Sequence, residues 1–272
     1  MQDALSPTER SGRWDRLEDM SPQKIAQAMS VCDREAAEAV ERLAGDIGKV
    51  IGLALDRVVE GGRIFYLGAG TSGRLGILDA SEIPPTFGVS DRFIGLIAGG
   101  DRAIRQAVEG AEDDAEGGIR DLKAHHVKAH DVVVGIAASG RTPYVVGALQ
   151  WARRVGMLTV AITSNPKGAV VAAAEHALVA ETGPEFVTGS TRLKAGTAQK
   201  LILNQISTGI MIGSGHVQGN RMVDMQLANA KLVERGTRMV AAALDLPMDR
   251  ARQLLTEAGS VRRAIDTFAP RG

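Results

Sequence analysis

The chain has 272 residues, enough for one sizeable α/β core with helical additions, and its 44% hydrophobic content excludes a disordered polymer. Lysine plus arginine (32) balances aspartate plus glutamate (32), which excludes a global field that draws nucleic acid or an anionic membrane, so any anion must be held locally. A single cysteine, Cys32, excludes an intrachain disulfide. The opening residues carry no apolar signal region and the apolar runs stop short of a membrane span, so a cytoplasmic protein is expected.

In chain order, Ser21-Pro22 places a capping hydroxyl before a proline and predicts a short helix near 23–29. Asp33 then reads as the cap of a long helix running to Gly61-Gly62, with Val40, Leu43, Ile47, Val50, Ile51, Ala54 and Val58 on one stripe. The period changes at Ile64-Phe65-Tyr66-Leu67, a short buried strand. Strands follow at 93–97, 132–137, 158–162 and 177–180, with a helix over 142–155. Strands alternating with helices predict a parallel sheet covered on both faces. From Arg192 the pattern is helical again, in LKAGTAQKLILNQISTGIMIGSG and then from Met222 to Leu244. The last segment predicts two short helices broken at Gly259. Met211 and Met222 read as core packing, and His216 as a helix-end cap.

Three strand ends carry hydroxyl-rich turns: Gly68-Ala69-Gly70-Thr71-Ser72-Gly73-Arg74, Ala138-Ser139-Gly140-Arg141-Thr142, and Thr163-Ser164-Asn165. In a parallel sheet all three emerge at the carboxyl edge, where ligands bind, and the first two open helices whose free amides favour an anion. Hydroxyls and amides hold a phosphate without net positive charge. Two other readings apply to these loops. Gly68-x-Gly70-x-x-Gly73 matches a dinucleotide fingerprint, with Asp101 as its ribose acid, but a nicotinamide enzyme has no need of the second Ser-Gly-Arg-Thr turn. The loops also read as tight capped turns, a reading that two similar loops on one edge weaken.

At these residues the chain resembles the N-acetylmuramic acid 6-phosphate etherases of the sugar isomerase (SIS) superfamily. The resemblance runs through GGRIFYLGAGTSGRLGILDASEIPPTFG, GLIAGGDRAIRQAVEGAEDD, DVVVGIAASGRTPYV and GSTRLKAGTAQKLILNQISTGIMI. It implies an α/β fold with an SIS-type parallel sheet flanked by helices and with helical N-terminal and C-terminal additions. The expected division is a helical segment at 1–49, the sugar-phosphate domain at 50–217 and a helical segment at 218–272. It further implies a homodimer in cell-wall sugar recycling that binds a sugar phosphate, with no nucleic acid, membrane, metal or cofactor. The stretch after Arg10 matches the family loosely, and members usually continue through a fuller helical module beyond the point matching Gly272.

The implied reaction cleaves the lactyl ether to give N-acetylglucosamine 6-phosphate and D-lactate. Ring opening makes the proton on carbon 2 removable, because the aldehyde stabilises the enolate. Elimination expels lactate from carbon 3 and water adds back, so one group must take a proton and another must give one. The resemblance assigns Glu82, in DASE, as the acid and Glu112, in EGAED, as the base. Pro84-Pro85 is expected to stop the helix just beyond Glu82 and leave that residue at an element end. Glu109 and Glu112 share a face at i, i+3 within an acidic run that also reads as a solvated face, and the family match alone selects Glu112.

The phosphate and sugar contacts are expected among Gly70, Thr71, Ser72, Arg74, Ser139, Gly140, Arg141 and Thr142, with Glu185, Ser190 and Lys194 from PEFVTGSTRLKAG. The last three fit a capped helix start equally well, and Lys194 also reads as an ordinary surface charge. His125, His126 and His130 sit in the polar KAHHVKAHD and read as a solvated loop rather than a metal site. A non-catalytic sugar-phosphate sensor and an aldose–ketose isomerase are the alternatives to the etherase. Neither requires both glutamates.

Overall fold

The computed structural model describes residues 6–268, so 1–5 and 269–272 of the expected terminal segments lie outside the described residues. The chain forms two compact units, residues 6–80 with Arg92–Ile210 and Ser81–Asp91 with residues 211–268.

The larger unit opens with helices α1 (Pro22–Glu41) and α2 (Ala44–Val59). Five strands follow, β1 (Ile64–Gly68), β2 (Phe93–Ile97), β3 (Val132–Ile136), β4 (Leu158–Thr163) and β5 (His176–Val179). Between and after them lie α3 (Gly70–Phe87), α4 (Arg102–Arg105), α5 (Gly117–Ala124), α6 (Pro143–Arg154), α7 (Ala169–Ala173) and α8 (Lys194–Gly213). The sheet is wholly parallel, in the order β2-β1-β3-β4-β5. β1, β3 and β4 are buried along their whole lengths, as continuous β-branched and apolar runs demand when helices cover both faces. Phe65, Leu67 and Val133 pack with Tyr144, Val145 and Leu149 of α6 in the main core. The predicted parallel α/β architecture is therefore the one observed.

Leaving β1, the chain goes to β2 on one side and then returns to β3 on the other. The loops after β1 and β3 consequently flank the point where the winding reverses, which is where open parallel sheets bind ligands.

Three helix expectations are corrected. Asp33 caps nothing. α1 runs unbroken from Pro22, with Ser21 Oγ accepting from Lys24 N at 3.3 Å, and the break falls at Arg42-Leu43. Cys32, Ala36, Ala39 and Val40 keep one buried stripe through Asp33, and that burial outweighs the small propensity loss of an aspartate inside a helix. Second, α3 does not stop at the prolines but continues to Phe87. The missing amides of Pro84 and Pro85 leave earlier carbonyls without helical donors, yet the last turn is anchored within the smaller unit. There Ile83 and Phe87 are buried and Gln226 N donates to the Pro85 carbonyl at 3.3 Å. Glu82 thus lies inside a helix, exposed, rather than at an element end.

Third, the helix expected from Met222 begins only at α9 (Ala230–Leu244), where Asn229 Oδ1 accepts from Leu232 N at 3.0 Å. Before it, β6 (Val217–Gln218) and β7 (Arg221–Met222) form a hairpin turned by Gly219-Asn220, and Val223 and Met225 are buried in alternation. The remainder of the smaller unit is α10 (Met248–Ala258) and α11 (Val261–Phe268), broken at Gly259 as expected. A separate core of Val223, Met225, Met239, Val240, Leu254, Leu255 and Val261 holds it, with Met222 packed against it. His216 does not cap helix carbonyls with its ring. Its Nδ1 lies 2.8 Å from Asp224 Oδ2, and Asp224 in turn accepts from Arg262. Among the described residues, no helix is long and apolar enough to cross a membrane.

Candidate active site

The first loop is shaped by two glycines, Gly68 and Gly73, that cannot be replaced in this packing, since a Cβ on Gly68 would fall 2.7 Å from Gly73 N. A Cβ on Gly73 would fall 2.6 Å from Ile97 Cγ1 and 2.7 Å from the Gly68 carbonyl oxygen, so α3 can start this close to the end of β1 only without side chains there. The opening amides of α3, at Gly70, Thr71 and Ser72, precede the first bonded one, Gly73 N to the Ala69 carbonyl. They form an anion-ready helix end. Ser72 is buried and its hydroxyl donates to Gln199 Oε1 of α8 at 3.0 Å. Arg74 spends two donors on the carbonyls of Ile104 and Ala103, both at 2.8 Å, so it fastens α4 beside the loop.

The second loop is braced from the third. Asn165 Nδ2 donates to the Ser139 carbonyl at 2.8 Å, and Thr163 Oγ1 to the Ala138 carbonyl at 3.2 Å. Gly140 has φ 71°, and a Cβ on it would lie 2.7 Å from Gly168 Cα. Ser139 Oγ accepts from Arg141 N at 3.3 Å, while the Arg141 side chain is exposed. Thr142 stands at the N-cap of α6, but its hydroxyl makes no capping bond. It is available to a ligand.

A cavity of about 250 Å³ opens at the ends of β1 and β2, lined by Gly70, Arg74, Ala98 and Val108 together with Glu109 and Glu112. Glu112 sits on a 3-10 turn (Ala111–Asp113), exposed, and has no hydrogen-bond or ion-pair partner among the described residues. The acidic run is therefore divided. Glu109 and Glu112 face the cavity, while Asp114 accepts from Glu116 N and Gly117 N at the start of α5 and pairs with Arg120.

The third expected group has another environment. Glu185 is buried, and its two carboxylate oxygens accept from Lys194 N at 2.8 Å and Ala195 N at 3.0 Å, capping α8 from nine residues upstream. Burial pushes its carboxyl above the usual range, and the two amide bonds offset only part of that. Lys194 is no surface charge. It is buried, and its Nζ donates to Glu35 Oε2 at 2.8 Å and to the Pro184 carbonyl at 3.1 Å. Burial raises the Glu35 pKa, but its bonds to Lys194 and Arg13 outweigh that and hold it below the usual range. These groups line a second cavity of about 250 Å³ with Trp14, Cys32 and Thr182. Ser190 lies half-buried just before α8. Glu35 and Gln199 were not anticipated. Their partners lie 159 and 127 residues away in sequence, and no spacing rule reaches that far.

Asp101 sits at the N-cap of α4 without a side-chain cap bond. His125 and His126 are exposed, with their carbonyls accepting from Arg63, and no metal-ligand cluster occurs among the described residues.

A parallel sheet with two braced, hydroxyl-bearing loops at its reversal point is the architecture of an SIS-type protein. Residues 110–208 match the SIS domain family, and residues 46–153 match the family described as the glucokinase regulatory protein N-terminal SIS domain. Two solved structures share the fold. One is a phosphoheptose isomerase from Francisella tularensis, with TM-score 0.55 and 19% identity over 71% of this chain and 100% of that one. The other is a phosphoheptose isomerase from Neisseria gonorrhoeae, with TM-score 0.50 and 18% identity over 71% of this chain and 98% of that one. Sequence relationship is far closer to the N-acetylmuramic acid 6-phosphate etherase of Porphyromonas gingivalis, 54% identical over 262 residues, covering 96% of each chain. The chain belongs to the N-acetylmuramic acid 6-phosphate etherase family.

Proposed function

We propose that the chain is a carbon–oxygen lyase that cleaves the lactyl ether of N-acetylmuramic acid 6-phosphate, giving N-acetylglucosamine 6-phosphate and D-lactate with water added. The observation that carries this is an unpartnered carboxylate, Glu112, on the wall of the cavity that also contains Gly70 at the opening of α3. The phosphate is held by the α3 amides at Gly70, Thr71 and Ser72, and by Ser139, Gly140, Arg141 and Thr142 of the second loop. Arg74 supports the first loop and adds positive charge beside it. Glu185 and Lys194 position the start of α8, with Ser190 beside it as the sugar contact.

In this reading Glu112 takes the carbon-2 proton of the ring-opened sugar, and the aldehyde stabilises the resulting enolate. The enolate collapses, the carbon 3–oxygen bond breaks, and Glu82 gives its proton to the departing lactyl oxygen. Glu82, now a base, takes a proton from the water that adds to carbon 3 of the conjugated double bond, and Glu112 returns its proton to carbon 2 of the enolate so formed. The role of Glu82 rests on its place in the family block DASE. The protein works as a cytoplasmic homodimer in cell-wall sugar recycling, without cofactor, nucleic acid or membrane partner.

Incubation of the purified protein with N-acetylmuramic acid 6-phosphate, without added metal or nicotinamide, is expected to release D-lactate. Binding without release would instead support a sugar-phosphate sensor, the reading favoured by the match of residues 46–153 to the glucokinase regulatory protein SIS domain. Aldose–ketose conversion without lactate would support an isomerase.

A further inference from the structure

The geometry points to a second anion site, built wholly within the smaller unit and suited to a phosphomonoester. α9 carries Lys231, Arg235 and Arg238 at i, i+4 and i+7, a spacing that stacks three cations on one helix face. Arg221, from β7, supplies a fourth. Together with the buried Met239 they line a cavity of about 300 Å³. Overall the chain is neutral, with 32 basic and 32 acidic residues, so this is a local concentration of charge rather than the trend of the sequence.

Internal neutralisation is incomplete. Arg238 pairs with Glu234 at 2.9 Å, but Arg221, Lys231 and Arg235 have no carboxylate partner among the described residues. Arg235 is half-buried and its guanidinium has no protein acceptor among the described residues, and partly burying an unpaired charge is costly. Like charges at i, i+4 also oppose the helix that carries them. A dianion with three terminal oxygens relieves both costs. It accepts the planar fork of an arginine bidentately and balances two of the cations. The cavity has room for a phosphorylated monosaccharide. None of its residues belongs to the site proposed above.

The test is a titration with inorganic phosphate, followed by heat of binding or phosphorus NMR, in a Ser139→Ala/Thr142→Ala background that cripples the loop site. One phosphate is expected still to bind. Arg235→Gln in that background is expected to weaken it about ten- to hundredfold, as loss of a charge-assisted hydrogen bond does, while Arg235→Lys keeps part of the affinity. Sulfate competes, and chloride at equal ionic strength does not. If Arg235→Gln fails to fold, Lys231→Gln with Arg221→Gln serves as the second variant. Unchanged phosphate affinity in the folded variants, or displacement by chloride matching that by sulfate, overturns the site. Because the titration needs no turnover, a failure of lactate release would refute the etherase reading without touching this one.

Discussion

Glu112 and Glu185 were both marked in the sequence as site carboxylates, and the fold treats them in opposite ways. Glu185 is buried with both oxygens occupied by helix amides, whereas Glu112 is exposed on a cavity wall with no protein partner among the described residues. An acceptor whose lone pairs are taken by backbone donors holds structure, and removing it leaves those donors unsatisfied. An acceptor with no internal obligation costs the fold little when it is changed. The same residue type, one on a 3-10 turn and one before a helix, is thus left free by the fold in one place and bound into it in the other.

The strongest way to break this contrast is Glu112→Gln. We expect lactate release to fall about 10²- to 10⁴-fold, the usual contribution of a positioned general base, with the melting temperature unchanged. Glu82→Gln is expected to lose activity to a similar degree while sugar-phosphate affinity persists. Wild-type turnover in either variant removes that residue from the mechanism. Glu185→Ala should do the reverse. Loss of two charge-assisted bonds at a buried helix start is expected to cost about 2–4 kcal/mol of stability, read by denaturant unfolding. A stable Glu185→Ala protein without activity would move that residue into the site and cancel the distinction.

How far these roles were legible depended on range in the sequence. The strands and the three carboxyl-edge turns follow from local patterns: apolar runs such as Val132 to Ile136, each ending in small and hydroxyl residues. The family block, not spacing, separated Glu112 from Glu109, and the structure puts both on one cavity. What was misread was non-local. Asp33 looks like a cap until its neighbours are seen to be buried, and Pro84-Pro85 looks like a stop until the carbonyl of Pro85 meets Gln226. The pairing of Lys194 with Glu35 joins residues from the two ends of the larger unit, so a lysine that reads as surface charge becomes a buried anchor.

A smaller effect sharpens the same accounting in a pH profile. Asp131 is buried. It accepts from Arg63 N at 2.9 Å, from the Arg63 guanidinium at 2.8 Å and from Lys128 N at 2.8 Å, tying the start of β1 to that of β3. Burial raises its pKa, but the Arg63 and amide bonds outweigh that and hold it below the usual carboxylate value. A depressed folded-state pKa means the contribution is present above the unfolded value, about 4, and is lost as pH falls through the folded one. Unfolding free energy of the wild type should therefore drop below about pH 4. Asp131→Asn is expected to be less stable at neutral pH and to show a flatter acid limb. An unchanged acid limb in the variant would show that the carboxylate is not the group lost.

The smallest expected change is the most discriminating, because it compares two hydroxyls in the same formal position. Ser21 and Thr142 both stand at helix N-caps before a proline, but only Ser21 makes the capping bond, to Lys24 N. If hydrogen-bond accounting separates structure from function, Ser21→Ala should cost about 1 kcal/mol, the usual value of a cap. Thr142→Ala should cost less than about 0.5 kcal/mol, the range of a substitution that breaks nothing. The Thr142 variant should show its effect instead as a raised KM for the sugar phosphate, since a hydroxyl left unused by α6 is the one free to meet the phosphate. Equal stability losses for the two substitutions, with KM unmoved, would mean that Thr142 caps its helix in solution, and the second loop would lose its claim on the ligand.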